Sequence, residues 1–308
     1  MLRIATLNTQ NLGPREPAWR LSTLAEALVS DLETPDLLCL QEICGSEPPD
    51  GQGRVAATGT LGTLRAAVTE AGGPCYQFLE CAPRSGEQGG KAGADIRTCL
   101  GFRADRLCPL SPATGELAKL LNGHPARALG DEEAAFAGDA AQGWVPSRRP
   151  IAAAFQAMGR PLLILGCHLK SMRAPSPELG SVFKAQRRAQ GEYLGQVAAR
   201  AAVAHPELLV VIAGDFNDTP GSTTLAAACG EVLADPGARL PARRRFTAIH
   251  EGGRITLDYV LLSRWAASAA TLRVPHLNTS VAPPVRFSDH DPVLVKLPWP
   301  DPEAHTGF

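Results

Sequence analysis

Apolar residues fall in short runs of four to eight, closed by Gly, Pro, Asn or Asp, and these runs recur from one end of the chain to the other. They are LRIATLN (2–8), PDLLCLQE (35–42), IRTCLGF (96–102), PIAAAFQ (150–156), PLLILGCH (161–168), ELLVVIAGD (207–215), ITLDYVLL (255–262) and PVLVKL (292–297). Their length and their content of Val, Ile, Leu and Cys predict buried strands rather than helices. Between them, residues 19–33, 60–71 and 183–204 carry apolar positions at helical spacing; in the last, Lys184, Arg187 and Arg188 fall on one face. The order is that of an α/β protein with two strand-rich halves. Residues 82–94 (APRSGEQGGKAGA) are glycine-rich and read as an exposed loop. Residues 109–147 mix Pro, Gly, Ala and acidic residues and read as a long insertion.

Composition narrows this picture without redirecting it. The 308 residues are 44% hydrophobic and 20% charged, enough for a large core, and the net charge of −1 supplies no general field towards nucleic acid or an anionic membrane. Any such attraction must be local. The eight cysteines form no CxxC pair and no metal-ligand spacing, and Cys39, Cys99 and Cys167 lie inside apolar runs, as expected of buried thiols in a reducing compartment. No stretch reaches the roughly 18 uninterrupted apolar residues of a membrane helix, and the first residues enter a strand without a leader pattern. A cytoplasmic protein with no membrane insertion is expected; the oligomeric state is left open.

The polar residues that end the runs carry the chemistry. Asn8 ends the first, Glu42 the second, His168 the fifth, and Asp215 and Asn217 the sixth; Asp258 interrupts the seventh, and Asp289 with His290 precedes the last. Buried carboxylates are costly unless paired or bound to a cation, so a set of such termini points to one shared cluster. Oxygen donors without a Cys set suit Mg²⁺ or Mn²⁺ better than zinc. Two histidines near such an ion, with Asp258 placed to orient His290, suit hydrolysis of a phosphoester.

GDFN (214–217), SDHDPV (288–293), LQE (40–42), HLKS (168–171), LDYVLLS (257–263) and the strand ending in Asn8, in this order, resemble the endonuclease/exonuclease/phosphatase superfamily. DIRTCLGFRAD, RRPIAAAF and CHLKS are similar to its deoxyribonuclease-like bacterial members. The resemblance implies a four-layered α/β sandwich, two packed mixed β-sheets flanked by helices, formed as one domain over residues 1–308 with the insertion at about 109–147. It implies a Mg²⁺-dependent phosphodiesterase, Mn²⁺ being an alternative ion, that acts as a nuclease on DNA or RNA. Asn8, Glu42 and Asp289 would hold the metal. His168, Asp215, Asn217, Asp258 and His290 would be catalytic, and Arg97 and Lys170 would contact phosphate.

Three positions depart from the family pattern. Gln10 replaces an acidic residue, Arg254 stands four residues before Asp258 instead of beside it, and Asp95 is out of register as a support for the first histidine. Arg148/Arg149, the Lys184/Arg187/Arg188 face and Arg243–Arg245 are candidates for a phosphate groove, although charge runs are more often solvated faces. His124, His205, His250, His276 and His305 read as surface residues. The aromatic content of 5% offers no base-stacking platform. Two other readings stay open: a phosphoesterase of small or lipid substrates, of phosphoinositide or sphingomyelin type, and a catalytically silent binding protein.

Overall fold

A computed structural model describes residues 1–299. Every apolar run forms a strand: β1 (Leu2–Leu12), β2 (Leu37–Ile43), β3 (Arg97–Phe102), β4 (Ile151–Ala157), β5 (Arg160–His168), β6 (Leu209–Asp215), β7 (Asp258–Ser263) and β8 (Val293–Leu297). They divide between two mixed sheets. The first has the order Thr271–Arg273, β8, β1, β2, β3, Gln77–Leu79, and the second the order Leu233–Ala234, β7, β6, β5, β4, Leu107–Leu110, with Ala126–Ala128 also pairing β4. Each sheet has one parallel pair at its centre, β1 with β2 and β5 with β6, flanked on both sides by antiparallel neighbours.

Strand alternation explains how the layers pack. Leu2 and Ile4 of β1, Leu162 and Ile164 of β5, Leu209, Val211 and Ala213 of β6, and Val260 and Leu262 of β7 share a core between the two sheets. The alternate residues face outward. Ala5 and Leu7 pack with Leu24, Leu28, Leu61 and Leu64 of the helical segments Ala18–Asp31 and Thr58–Glu70, while Val210, Ile212 and Leu163 pack with Leu194, Val197 and Ala198 of the helix Pro177–Ala204. The result is helix, sheet, sheet, helix. Each fully buried Leu, Ile, Val or Phe contributes about 1.5–3 kcal/mol, so the inter-sheet core outweighs a few buried polar groups at one end.

The helix expected over 183–204 begins earlier, at Pro177, where Ser176 caps it by accepting from Leu179 N. The segment 109–147 is more ordered than its composition suggests, holding a helix at Gly115–Leu121, the strand Ala126–Ala128 and a short helix at Ala134–Ala137. Leu117, Leu121 and Phe136 bury themselves in the outer core of the second sheet. A hairpin that the sequence did not suggest, Ala248–His250 with Gly253–Ile255, stands before β7. Among the described residues no helix is long and apolar enough to cross a membrane. All eight cysteines are free; Cys39, Cys44, Cys99 and Cys167 are buried, and only Cys75 and Cys108 are exposed.

Candidate active site

The inward-facing stripe of each central strand ends in a polar residue. Asn8 follows Leu2, Ile4 and Thr6 on β1; His168 follows Leu162, Ile164 and Gly166 on β5; Asp215 follows Leu209, Val211 and Ala213 on β6. Registers align the second sheet's members, with His168 opposite Asp215 across the parallel ladder and Asp258 opposite Asp215 across the antiparallel one. Gly214 makes this close approach possible. Its φ is +148°, and a Cβ there would lie 1.9 Å from the carbonyl oxygen of Cys167.

Glu42 reaches the same place by a different route. Alternation would turn it outward with Leu38 and Leu40, but its φ is +60° and both of β2's ladders shift register around it. Its Oε1 accepts from Asn8 Nδ2 at 3.2 Å and its Oε2 from Asn11 N at 3.0 Å. Asn8 Nδ2 also donates to Asp215 Oδ2 at 3.1 Å, so one carboxamide joins a carboxylate from each sheet. Asp215 Oδ1 accepts from Asn217 N at 2.8 Å, and His168 Nε2 lies 3.4 Å from Asp215 Oδ2 and 4.0 Å from Glu42 Oε1. Asn217, itself left-handed at φ 50°, donates through Nδ2 to Leu169 O.

His290 Nδ1 is 2.8 Å from Asp258 Oδ2, which leaves Nε2 for the cavity. Ser288 fixes this loop on β1: its hydroxyl donates to Asn8 O at 2.5 Å and accepts from His290 N at 3.1 Å. Asp289 lines the same cavity, of 640 Å³, as do Asn8, Glu42, His168, Asp215 and Asn217. Three buried atoms in this region have no partner among the described residues, Asp258 Oδ1, His168 Nδ1 and Arg148 Nε.

The two histidines are driven in opposite directions. Burial lowers His168 well below the usual imidazole range, helped by the charges of Arg148 and His290, so it is neutral near pH 7. Burial acts on His290 in the same sense, but the Asp258 carboxylate and its hydrogen bond outweigh it and push His290 up to about 10. Asp215 is pushed up to about 7, chiefly by burial and further by Asp258, against the opposing pull of His290.

Arg97 and Lys170 do not join this cavity. Arg97 donates to Glu80 Oε2 at 2.7 Å and to the carbonyls of Val55 and Asp95, and Lys170 Nζ sits 3.7 Å above the Phe183 ring. The basic residues that do line it are Lys91, Arg148 and Arg173. Arg148 is buried, its Nη2 donates to Leu169 O, and burial lowers its pKa. Its place at the entry to β4 was the available signal. Gln10 and Asn11 line the cavity as well. Arg254 lies 4.7 Å over the Phe246 ring, and Asp95 accepts from Gly86 N and Ser85 Oγ, so neither supports a site histidine.

The expected face of Lys184, Arg187 and Arg188 divides: Arg187 is buried against Asp218 at 3.5 Å while the other two are exposed. Arg243 and Arg244 are exposed on the short helix Ala242–Arg245, away from the cavity lining. His276, expected at the surface, stacks on Phe246 at 3.9 Å and bonds Asp291 Oδ2 at 3.0 Å. His250 and His124 are exposed, His205 is half-buried, and His305 lies outside the described residues.

The candidate ion-binding donors that line the cavity are oxygens, from Glu42, Asp289 and Asn8. Beside them lie the buried Asp215 carboxyl and the unpartnered Asp258 Oδ1, further oxygen donors of the kind a hard divalent cation takes. Asp215, Asp258 and His290 also bring ligand atoms within 4.8 Å of one another. In that trio the Asp258–His290 contact is already a 2.8 Å hydrogen bond, so the Glu42 side is the freer one.

The family model of the endonuclease/exonuclease/phosphatase family matches residues 5–290. The chain belongs to that family. Its members are hydrolases that act on phosphodiester bonds. No curated protein matches the chain in sequence. Truncated TDP2 from Caenorhabditis elegans is similar in structure, with a TM-score of 0.63 at 15% identity over 96% of this chain and 97% of that one. So is the human Nocturnin catalytic domain with bound sulfate, with a TM-score of 0.59 at 17% identity over 96% and 94%. A Bacteroides vulgatus endonuclease/exonuclease/phosphatase gives 0.56 at 17% identity over 96% and 98%. At these identities the likeness is one of fold.

Proposed function

We propose that this family member is a Mg²⁺-dependent phosphodiesterase working as a nuclease on DNA or RNA, with residues 1–308 acting as one domain. The observation that carries the reading is Asn8 joining Glu42 and Asp215 beside the Asp258–His290 pair, which supports oxygens that would bind an ion lying next to groups that would handle protons. Glu42, Asp289 and Asn8 would hold the cation, which when bound would neutralise phosphate charge and stabilise the leaving oxyanion. Asp215, with a pKa near neutrality, takes the proton of the attacking water. His168 Nε2 and Asn217 N fix that carboxylate from either side. His290, held as a cation by Asp258, directs Nε2 at the charge that develops on the phosphoryl oxygens.

Lys91, Arg148 and Arg173 on the cavity wall favour a phosphate backbone as substrate. A Danio rerio TDP2 structure of the same fold, with a TM-score of 0.56 at 16% identity, contains a single-strand DNA product. The apolar lining residues Ile249, Ile255 and Leu257 favour a second reading, a small or lipid phosphoester with an apolar portion. The test is hydrolysis of plasmid DNA, a single-stranded oligonucleotide, structured RNA and bis-p-nitrophenyl phosphate in Mg²⁺, Mn²⁺ or EDTA, with His290→Ala alongside. Metal-dependent cleavage of a polymer, lost in the variant, supports the nuclease. Cleavage of the small diester alone moves the substrate to the second reading, and turnover indifferent to His290 overturns both.

A further inference from the structure

Beyond the glycine-rich loop lies a second cavity, of 610 Å³, whose lining includes Arg54, Arg84, Arg127, Arg149 and His124. Three carboxylates face it, and each already has a partner: Glu80 binds Arg97 at 2.7 Å, Asp131 binds Arg149 at 2.8 Å, and Glu87 lies 3.8 Å from Arg84. The nearby Asp50 carboxylate accepts from the backbone N of Gln52 and Arg54, both at 2.8 Å. Arg54 and Arg127 have no carboxylate partner within ion-pair distance among the described residues.

The backbones of Arg54 and Arg84 pair in a lone antiparallel bridge, and both side chains line this cavity. Like charges placed directly opposite each other destabilise a strand pair, and among the described residues the two share one carboxylate partner, Glu87 beside Arg84, so the pair carries an excess of positive charge. The second cavity adjoins the first along the chain. The consecutive residues Arg148 and Arg149 line the catalytic cavity and the second cavity respectively, and one loop supplies Gly90 and Lys91 to the former and Arg84 and Glu87 to the latter. Gln88, buried in that loop, fixes the crossing by accepting from Arg149 N at 3.0 Å.

We propose that the second cavity is an exosite for the phosphate backbone of a single-stranded nucleic acid whose scissile phosphate lies in the first. The inference rests on the nuclease reading and adds where the rest of the substrate runs. A single strand can bend over the loop at the Arg148–Arg149 step, and the paired arginines supply the charge that holds its phosphates. Activity then rises with oligonucleotide length until both cavities are filled, at roughly 4–16 nucleotides, the span of other single-strand grooves.

The test compares wild type with the double variant Arg54→Glu/Arg84→Glu, two exposed positions away from the catalytic cavity. Expected are at least a tenfold fall in kcat/KM on a dT12 oligonucleotide, unchanged turnover of dT2 and bis-p-nitrophenyl phosphate, and an unchanged melting temperature. Anisotropy of labelled dT12 in EDTA is expected to show weaker binding and a salt dependence shallower by about 0.7 for each phosphate that is no longer neutralised. Equal dT12 binding by both proteins, or none by wild type, overturns the exosite. Failure of the nuclease reading shows separately, as turnover of bis-p-nitrophenyl phosphate with no oligonucleotide cleaved.

Discussion

The two sheets are built alike and reach the site differently. Each centres on a parallel pair, and each delivers polar residues from the carboxyl ends of that pair. In the second sheet the ladders stay in register to the last residue, so His168, Asp215 and Asp258 stand opposite one another by ordinary alternation. In the first sheet the β1–β2 ladder shifts after Asn8, and Gln10, Asn11 and Glu42 adopt positive φ. On the proposed reading the regular sheet would supply His168, Asp215 and Asp258, and the irregular one would supply Asn8 and Glu42, with Asp289 and His290 from the loop before its β8. A rigid ladder suits groups whose mutual distances set their pKa values. A distorted edge can turn an otherwise outward carboxylate towards the cavity.

The largest expected effect breaks the second sheet's contribution. Asp215→Asn keeps the shape of the side chain and removes its basicity, and turnover is expected to fall roughly 10²- to 10⁴-fold while the melting temperature is held or raised. A retained rate would remove Asp215 from the chemistry. Next comes the backbone that allows the register. Gly214→Ala forces a Cβ into the Cys167 carbonyl at a positive φ and is expected to cost more than about 1–3 kcal/mol, read as a lowered denaturant midpoint.

The irregular sheet behaves in the opposite way. Glu42→Gly is expected to leave stability unchanged or raised, since glycine adopts φ +60° freely, yet to lower metal-dependent turnover, by less than Asp215→Asn does. A clear loss of stability would show that Glu42 serves the fold.

The smallest effect is on pH dependence. The folded state raises Asp215 from 3.8 to about 7 and His290 from 6.5 to about 10, so both protonated forms favour folding. The contribution of these two groups is therefore fullest at low pH, where His168, held low by burial, acts in the opposite sense. Their contribution is lost first as pH rises from about 4 through 7 and again as it rises through 10. Asp215→Asn is expected to flatten the acidic part of the melting-temperature profile, and Asp258→Asn, which removes the group that raises His290, the alkaline part.

This contrast also explains what was legible in the sequence. The eight strands could be read because alternation and buried runs are local; Asp215 and His168 followed as the polar ends of those runs, and Asp258 as the residue that interrupts one. Glu42 was read as the polar end of its run and again in LQE, although its outward parity argued against it. Arg97 and Lys170 were misplaced because their partners, Glu80 and Phe183, are remote in sequence and carry no periodic signal. For the same reason the helical face of Lys184, Arg187 and Arg188 did not reveal that Arg187 turns inward to Asp218. Arg148 was one of a pair of adjacent arginines, and neighbours on a strand entry point to opposite sides, which composition alone cannot assign. The hairpin at Ala248–Ile255 was missed because its strands are three residues long, too short for alternation to register.

The central claim is that the two sheets form one site. A double-mutant cycle tests it most directly, as metal-dependent turnover of bis-p-nitrophenyl phosphate by wild type, Glu42→Gln, Asp215→Asn and the double variant. Groups acting as a unit lose their effect together, so the double variant is expected to be about as slow as Asp215→Asn alone. Losses that multiply, as for two independent sites, would contradict the account.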